Sequence, residues 1–238
     1  MSSGIYLATA GAVAQSNALD ATANNIANAT TTGFQADRIT FREAMTNAKS
    51  PDTALVSAGT KRVDTQYGAL AQTGNPLDLA IEGDGMFAVD TPNGARYTRA
   101  GNFRVDDQGT LVTVDGFAVR GEGGAHITIP AEAKVLGVNT DGEVTADGET
   151  LGKLELVKFQ YNQLKREGGT LFSANGRPDM TGDVPRVQSG MLESSNVNVV
   201  RGVVDLVKVS RTYESLMRVI QGYHDVESRA ARDLGGPK

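Results

Sequence analysis

Carboxylates and histidines are the side chains of this sequence with the clearest potential for chemistry. Asp78, Glu82 and Asp84 lie close together, and a pair of carboxylates can act as general acid and general base. Their context argues against catalysis, because they occupy an alternating strand and the following turn, where acidic residues usually face water. The only two histidines, His126 and His224, are far apart, and there is no cysteine. We therefore predict no catalytic residue, no metal site and no cofactor.

Glycine-rich and acidic turns are a second place to look for ligand binding. Residues 121–124 (Gly-Glu-Gly-Gly) have the composition of a phosphate-binding loop, but an Ile-Thr-Ile-Pro segment follows soon after. A phosphate loop needs a helix N-terminus at that point. The acidic turn at 106–109 lacks alternating carboxylates, and the turn at 139–142 places its glycine too early for a calcium loop. These segments are predicted to be turns and loops without a ligand.

Composition is that of a globular protein and excludes some partners. The chain has 238 residues, of which 39% are hydrophobic and 21% charged, with a net charge of −5. It can therefore bury a core, whereas nucleic-acid binding is not expected without a basic excess. No segment approaches the roughly 20 apolar residues of a membrane span, so we do not expect a membrane-embedded protein. The first residues lack the basic and uninterrupted apolar segments of a cleavable signal peptide.

The two ends of the chain carry matching apolar repeats of seven residues. A period of seven keeps one seam of a helix facing a partner helix. We therefore predict two terminal helices that form an α-helical coiled-coil domain, with the seam as its assembly interface. The predicted interface consists of Ile5, Ala12, Leu19, Ile26, Val199, Leu206, Tyr213 and Ile220.

The predicted N-terminal helix, which we expect to run to about Thr32 and stop at Gly33, has almost no charge. Asp20 is the only charged residue among the first 36, whereas a solvated helix face normally carries Lys and Glu. Small, uncharged side chains let other backbones approach closely, so we expect this helix to be surrounded by protein in its working state. The alternative is a helix buried in its own domain, for example in an antiparallel hairpin with the C-terminal helix.

The middle of the chain has the alternation and turn signals of short antiparallel strands. Acidic-glycine turns at 106–109 and 115–116 predict a meander of three strands. The predicted fold class is α+β, with a sandwich-like or barrel-like central domain. Its four predicted segments are an N-terminal helix over 1–34, a partly extended connector over 35–75, the central all-β domain over 76–190 and a C-terminal helical segment over 191–238.

Four sequence blocks resemble those of the bacterial flagellar rod and hook proteins. They lie at 23–34, 74–87, 97–113 and 194–199, in the order found in that family, and together they span nearly the whole chain. The residues that carry the resemblance, called here the family-motif residues, are Asn24, Asn25, Asn28, Gly33, Phe34, Asn75, Pro76, Asp78, Gly83, Gly85, Phe87, Tyr97, Arg99, Gly101, Phe103, Ser195, Asn196 and Val197.

The resemblance implies a structural subunit of the flagellar basal-body rod. Such proteins are exported unfolded through the flagellar type III export apparatus, without signal cleavage. Their terminal helices pair with other copies and other rod subunits to form a tube that crosses the periplasm, conducts exported subunits and transmits torque. The proximal rod members resemble the chain most, and the distal rod members are the alternative. A rod-associated cell-wall enzyme and a soluble adaptor with a self-contained helical hairpin are two further alternatives.

Overall fold

Along the chain, one long helix precedes a series of short strands and a second long helix follows it. The computed structural model describes residues 3–45, 54–64, 66–160, 163–179 and 185–234. The helices are α1 (Ser3–Ala27) and α2 (Val199–Leu234). The strands are β1 (Asp37–Met45), β2 (Ala54–Val63), β3 (Leu70–Gln72), β4 (Leu79–Glu82), β5 (Met86–Thr91), β6 (Gly94–Thr98), β7 (Arg104–Val105), β8 (Leu111–Val112), β9 (Ala118–Val119), β10 (Leu136–Val138), β11 (Glu143–Ala146), β12 (Glu149–Lys153), β13 (Leu156–Val157), β14 (Leu164–Gly168), β15 (Leu171–Ala174), β16 (Arg186–Ser189) and β17 (Met191–Glu193).

Antiparallel pairing dominates the middle of the chain. The largest sheet has the order β14-β15-β6-β5-β9-β8-β7, and β13 also pairs with β5. The smaller sheets are β10-β11-β12, β16-β4, β17-β3 and β1-β2. The predicted α+β class, with a helix near each end and antiparallel strands between them, is therefore confirmed. The segment predicted as a connector contains β1, β2 and β3.

Acidic-glycine turns connect the strands where the sequence places them. The meander β7-β8-β9 is confirmed, and its first turn is closed by the amide of Thr110, which donates to the Asp106 carboxylate over 2.8 Å. Asp147 and Gly148 link β11 to β12 with φ angles of 50° and 91°. Both central residues of that turn need positive φ, which aspartate tolerates and glycine adopts freely. Residues 122–124 form a short 3-10 turn that is followed by extended backbone, in agreement with the prediction of a loop rather than a phosphate-binding site.

The first helix ends earlier than the sequence suggested. α1 stops at Ala27, and residues 28–32 form turns before Gly33, whose φ is 66°. The amide of Thr31 donates to the Asn28 carbonyl over 3.1 Å, and the Thr31 hydroxyl donates to the Asn28 side chain over 3.2 Å. Asn and Thr side chains compete with helical hydrogen bonds in this way, so the helix pattern of small residues was extended too far.

Contacts divide the chain into two units, each assembled from segments that are distant in sequence. The helix unit comprises residues 1–27, 37–62 and 198–238, and the β unit comprises residues 28–36 and 63–197. Each unit therefore needs both early and late parts of the chain.

The β unit has one main apolar core and a smaller satellite cluster. In the main core the rings of Phe87 and Phe103 meet edge to face with 5.0 Å between their centroids. The alternating sequence of β4 is typical of a strand with one buried and one solvated face, but Leu79, Ala80 and Ile81 are all buried. The strand lies inside the unit, and Ala80 is buried as completely as Leu79.

Candidate functional site

The two helices of the helix unit pair antiparallel through close contacts at glycine. A Cβ added at Gly11 would lie 3.4 Å from Leu216, and one added at Gly4 would lie 2.6 Å from the Tyr223 hydroxyl. From the Gly4 contact to the Gly11 contact, the position moves forward on α1 by seven residues and back on α2 by seven residues, as it must in an antiparallel pair. At the other end, Gly202 approaches Ile26 in the same way. Large side chains of one helix fill the space over small residues of the other.

The buried face of α1 is lined with alanine, and among the predicted seam residues Ile26 takes part in one of these close contacts, with Gly202. Ile5, Leu19 and Ile26 are half-buried, whereas Val199 is exposed. On α2, Leu206, Tyr213 and Ile220 are also half-buried. The buried alanines of α1 are Ala8, Ala12, Ala14, Ala18 and Ala21. Small residues on one helix and large ones on its partner allow the two axes to approach closely.

The outer face of α2 begins with an exposed apolar stripe, of which the predicted seam includes only Val199. Its members, called here the valine stripe, are 45–77% exposed, and they are Val199, Val200, Val203, Val204 and Val207. On α1, Tyr6, Val13 and Asp20 share an outward face, and Tyr6 and Val13 are 63% and 50% exposed. A helix face that remains in water normally carries more charge than this.

Asn25 fixes the return of the chain after α1 within the helix unit. Its side-chain amide donates to the Asp37 carbonyl over 2.8 Å, and its side-chain oxygen accepts from the Asp37 amide over 2.8 Å. The amide group of asparagine matches a backbone donor and acceptor at once. This family-motif residue therefore binds backbone rather than a ligand.

A buried ion pair lies at the centre of the β unit. The Arg99 guanidinium and the Glu193 carboxylate approach to 2.6 Å, and both side chains are 2% exposed. The same guanidinium donates to the carbonyls of Ile81, Gly83 and Gly85 over 3.1, 2.7 and 2.9 Å. A buried charge is tolerated when it is paired and its remaining donors are satisfied, as here. Gly83, Gly85 and Arg99 thus belong to one structural cluster.

An extended segment over residues 66–72, called here the strap, passes beside this ion pair. The Gly68 amide donates to the Glu193 carboxylate over 3.0 Å, and the Arg99 guanidinium lies 4.7 Å from the centre of the Tyr67 ring. The Tyr67 hydroxyl donates to Asp84, which also pairs with Lys158 at 3.1 Å. These two interactions, the tyrosine bond first, hold the pKa of Asp84 below its ordinary value.

The segments that enter and leave the β unit are bound to each other. Asn196 accepts a hydrogen bond from the Ala36 amide and donates one to the Gln66 carbonyl, each over 2.7 Å. The Gly33 amide donates to the Glu193 carbonyl over 2.7 Å. A Cβ on Gly33 would lie 2.3 Å from the Ala100 amide nitrogen, so glycine is required there by close approach as well as by its φ.

The other family-motif residues also have structural contacts. Asn75 donates to the Asp78 carboxylate over 3.2 Å, and the Pro76 carbonyl accepts from Ser189 over 2.9 Å. Tyr97 lies against Phe159 with 4.6 Å between ring centroids. Further contacts of this kind involve Asn28 with Thr31, Phe34 with Arg166, Gly101 with Leu79, and Ser195 with the amide of Val197, while Asn24 has an interaction of its own.

The three acidic residues considered for catalysis do not converge on a common site. Asp78 bonds Asn75, Glu82 accepts from Gln188 over 3.2 Å, and Asp84 is held by Tyr67 and Lys158. No group of three or more metal-ligating side chains occurs in the described part of the chain. Neither described helix has the length and apolar character needed to cross a membrane.

Three family models match successive parts of the chain. Residues 5–35 match "Flagella basal body rod protein", residues 80–146 match "Flagellar hook protein FlgE/F/G D1 domain", and residues 188–233 match "Flagellar basal body rod FlgEFG protein C-terminal".

Whole-length relatives agree with the family models. The flagellar basal-body rod protein FlgF of Rhizobium meliloti (strain 1021) is 31% identical, with 100% of both chains covered. The FlgF of Escherichia coli (strain K12) is 35% identical over 97% of both chains. The chain belongs to the flagellar basal-body rod protein family.

Within the rod family the chain is FlgF-like. A FlgG of Bacillus subtilis (strain 168) is 34% identical, so identity alone separates the two types poorly. The assignment rests on the FlgF relatives, of which the Rhizobium protein matches over 100% of both chains. This is a family of structural proteins and not of enzymes, which agrees with the prediction that the chain catalyses no reaction.

The family matches and the two structural units correspond in part. The N-terminal rod model extends past α1 to Gln35, which lies in the β unit, and the C-terminal model begins before α2. Both rod models therefore include residues that close the β unit. Glu193 also closes the β unit, but it was not identified from the sequence. Its partner Arg99 is 94 residues away, and no local pattern connects the two.

Proposed function

We propose that this rod protein polymerises through its helix unit into the proximal part of the flagellar rod. The observation that carries the proposal is the valine stripe of α2, which remains exposed in the single chain although its side chains are apolar. Exposed apolar stripes of this kind mark protein–protein contacts. Other copies of this chain and other rod subunits are the proposed partners.

The inner and outer faces of the helices would have separate tasks in such a polymer. The predicted seam, with Leu19 and Leu206 at its middle, would hold α1 and α2 together in a coiled-coil-like pair. The valine stripe and the outward face of α1 with Tyr6 and Val13 would contact neighbouring subunits. α1 carries a single charged residue, Asp20, and α2 carries basic and acidic residues in nearly equal number, so the two outer faces do not repel each other strongly.

The remaining features of the proposal follow from the rod family. The polymer would form a shaft that crosses the periplasm, transmits torque and conducts exported subunits. The β unit, with its antiparallel strands arranged as a sandwich or barrel, would form the outer layer of that shaft. The chain would reach this place through the flagellar type III export apparatus, without a cleaved signal peptide.

Replacement of Val204 by aspartate tests the outer face directly. Val204 is 48% exposed, so Val204→Asp should change the stability of the free chain by less than about 0.5 kcal/mol. In a polymer the same carboxylate would be buried without a partner, and incorporation into basal bodies should be lost. The measurement is the amount of the variant in purified basal bodies, together with swimming in a strain that lacks the native gene.

Val135→Asp is the matched control, since Val135 lies in the β unit and is 68% exposed. It should assemble normally. Leu19→Asp and Leu206→Asp, in the predicted seam, should also prevent incorporation but should leave the β unit folded. Normal incorporation of Val204→Asp would show that the valine stripe is not a subunit contact.

A position in the distal rod is the second candidate, and the FlgG relatives favour it. The FlgG of Agrobacterium fabrum (strain C58 / ATCC 33970) is 34% identical over 97% of this chain and 98% of its own length. Complementation separates the two positions. Rescue of swimming in a strain lacking its FlgF, but not in one lacking its FlgG, would assign the proximal position; the reverse would assign the distal one.

A further inference from the structure

The strands that complete the β unit come from the end of its sequence. Residues 186–197, called here the clasp, contain β16 and β17 and end just before α2. β16 pairs with all four residues of β4, and β17 pairs with all three residues of β3. Val187 of the clasp is fully buried in the main core. The core and two of the sheets are therefore incomplete without the clasp.

Glu193 of the clasp supplies the buried negative charge that Arg99 requires. Arg99 follows β6 directly and is 2% exposed, and Glu193 is 1% exposed. Breaking a buried pair by removing one partner typically lowers a folding equilibrium constant by about 150- to 5,000-fold, because the remaining charge is left without compensation. A chain in which Arg99 is present and Glu193 is absent faces that same penalty if it packs Arg99 into the core.

The clasp also binds the early segments of the unit. The backbone carbonyl of Glu193 accepts a hydrogen bond from the Gly33 amide over 2.7 Å, and its carboxylate accepts one from the Gly68 amide over 3.0 Å. The side chain of Asn196 accepts one from the Ala36 amide over 2.7 Å. Buried backbone donors without partners are costly. The amides of Gly33, Ala36 and Gly68 therefore lack these acceptors until the clasp is present.

We propose that the clasp is a folding checkpoint that holds the β unit open until residues 186–197 are available. A chain emerges from the ribosome, or from any channel that it enters first with its N-terminus, in sequence order. Arg99 then precedes its counter-ion by 94 residues. The β unit thus closes only after the clasp has been delivered. This inference concerns the order of folding and does not depend on the proposed place in the rod.

The test is native-state hydrogen exchange on the full-length chain carrying Glu193→Gln. The substitution keeps the shape of the side chain and removes its charge, so Arg99 remains buried without a counter-ion. Exchange throughout β5 and β6, far from the clasp in sequence, should become at least about 100-fold faster. The matched control is Glu167→Gln, which breaks the surface pair with Arg96; Glu167 is 35% exposed, and exchange should change by less than about 3-fold.

Two outcomes would overturn the checkpoint. If Glu193→Gln accelerates exchange only in the strap and the clasp while β5 and β6 stay protected, the unit folds without the clasp. If Glu193→Gln does not fold, the double variant Arg99→Met/Glu193→Leu decides, because it removes both charges. Protection of β5 and β6 to within about 10-fold of the native chain would support the uncompensated charge as the barrier, and failure to recover would refute it.

Discussion

Gly101 is a position in the core of the β unit where a single added methyl group should be strongly destabilising. A Cβ there would lie 1.7 Å from the Leu79 carbonyl oxygen and 3.2 Å from the Phe87 ring. The two backbones would have to separate by more than about 1 Å, which breaks the 2.9 Å hydrogen bond from the Leu79 amide to the Gly101 carbonyl. Loss of this buried bond costs about 1–3 kcal/mol, and overpacking of the core costs about 1–3 kcal/mol more.

We therefore expect Gly101→Ala to lower the free energy of unfolding by about 4 kcal/mol, the middle of that range. Chemical denaturation, with hydrogen exchange at β4 and β5 to locate the effect, measures it. Gly222→Ala is the matched control, because nothing lies within 4 Å of a Cβ at Gly222 in α2. Alanine is a better helix former than glycine by about 1 kcal/mol, so this variant should be slightly stabilised. A Gly101→Ala chain as stable as the native one would refute the close approach of Leu79 and Gly101.

Two other side chains carry predictions about charge and polarity in the β unit. The pKa of Asp84 is lowered mainly by the Tyr67 hydrogen bond, so its stabilising effect should be complete above the ordinary pKa and lost as the pH falls through the lower folded value. Stability curves of native and Asp84→Asn chains should converge at acid pH; parallel curves would contradict the assignment, and Tyr67→Phe should reduce the effect. Gln35 is 1% exposed, and neither polar atom of its side chain has a hydrogen-bond partner among the described residues. Gln35→Met should thus raise the unfolding free energy by about 1–3 kcal/mol in denaturation, and a loss of stability would show that the amide is satisfied.

Local patterns in the sequence predict the helices and the acidic-glycine turns, because their causes are local. The apolar repeats predict a helix near each end of the chain, where α1 and α2 are found, and the Asp147-Gly148 turn follows from the positive φ that its type requires. The end of α1 was misjudged for a related reason. Asn28 and Thr31 have side chains that bond each other and the backbone, and this outweighs the small-residue pattern.

Long-range partners could not be predicted in the same way. Nothing in the neighbourhood of Glu193 indicates that it pairs with Arg99, and nothing near Asn196 indicates that it bonds residues 36 and 66. The chain also passes between the two units more than once, since residues 28–36 belong to the β unit and residues 37–62 to the helix unit. A boundary drawn along the sequence cannot represent units that each need early and late segments.

The exposed valine stripe has an energetic consequence for the timing of assembly. Full burial of a valine gives about 1.5 kcal/mol or more, so the five valines, which are about half exposed, would contribute about 4 kcal/mol from each copy and about 8 kcal/mol from two copies that bury their stripes against each other. Association of two proteins costs roughly 4–15 kcal/mol in lost freedom, so the net gain is at most about 4 kcal/mol, which corresponds to a millimolar dissociation constant. Stable binding then requires several neighbours at once, as at the end of a growing polymer. The purified chain should accordingly be monomeric at micromolar concentration in analytical ultracentrifugation, and a tight dimer held by the valine stripe would contradict this reasoning.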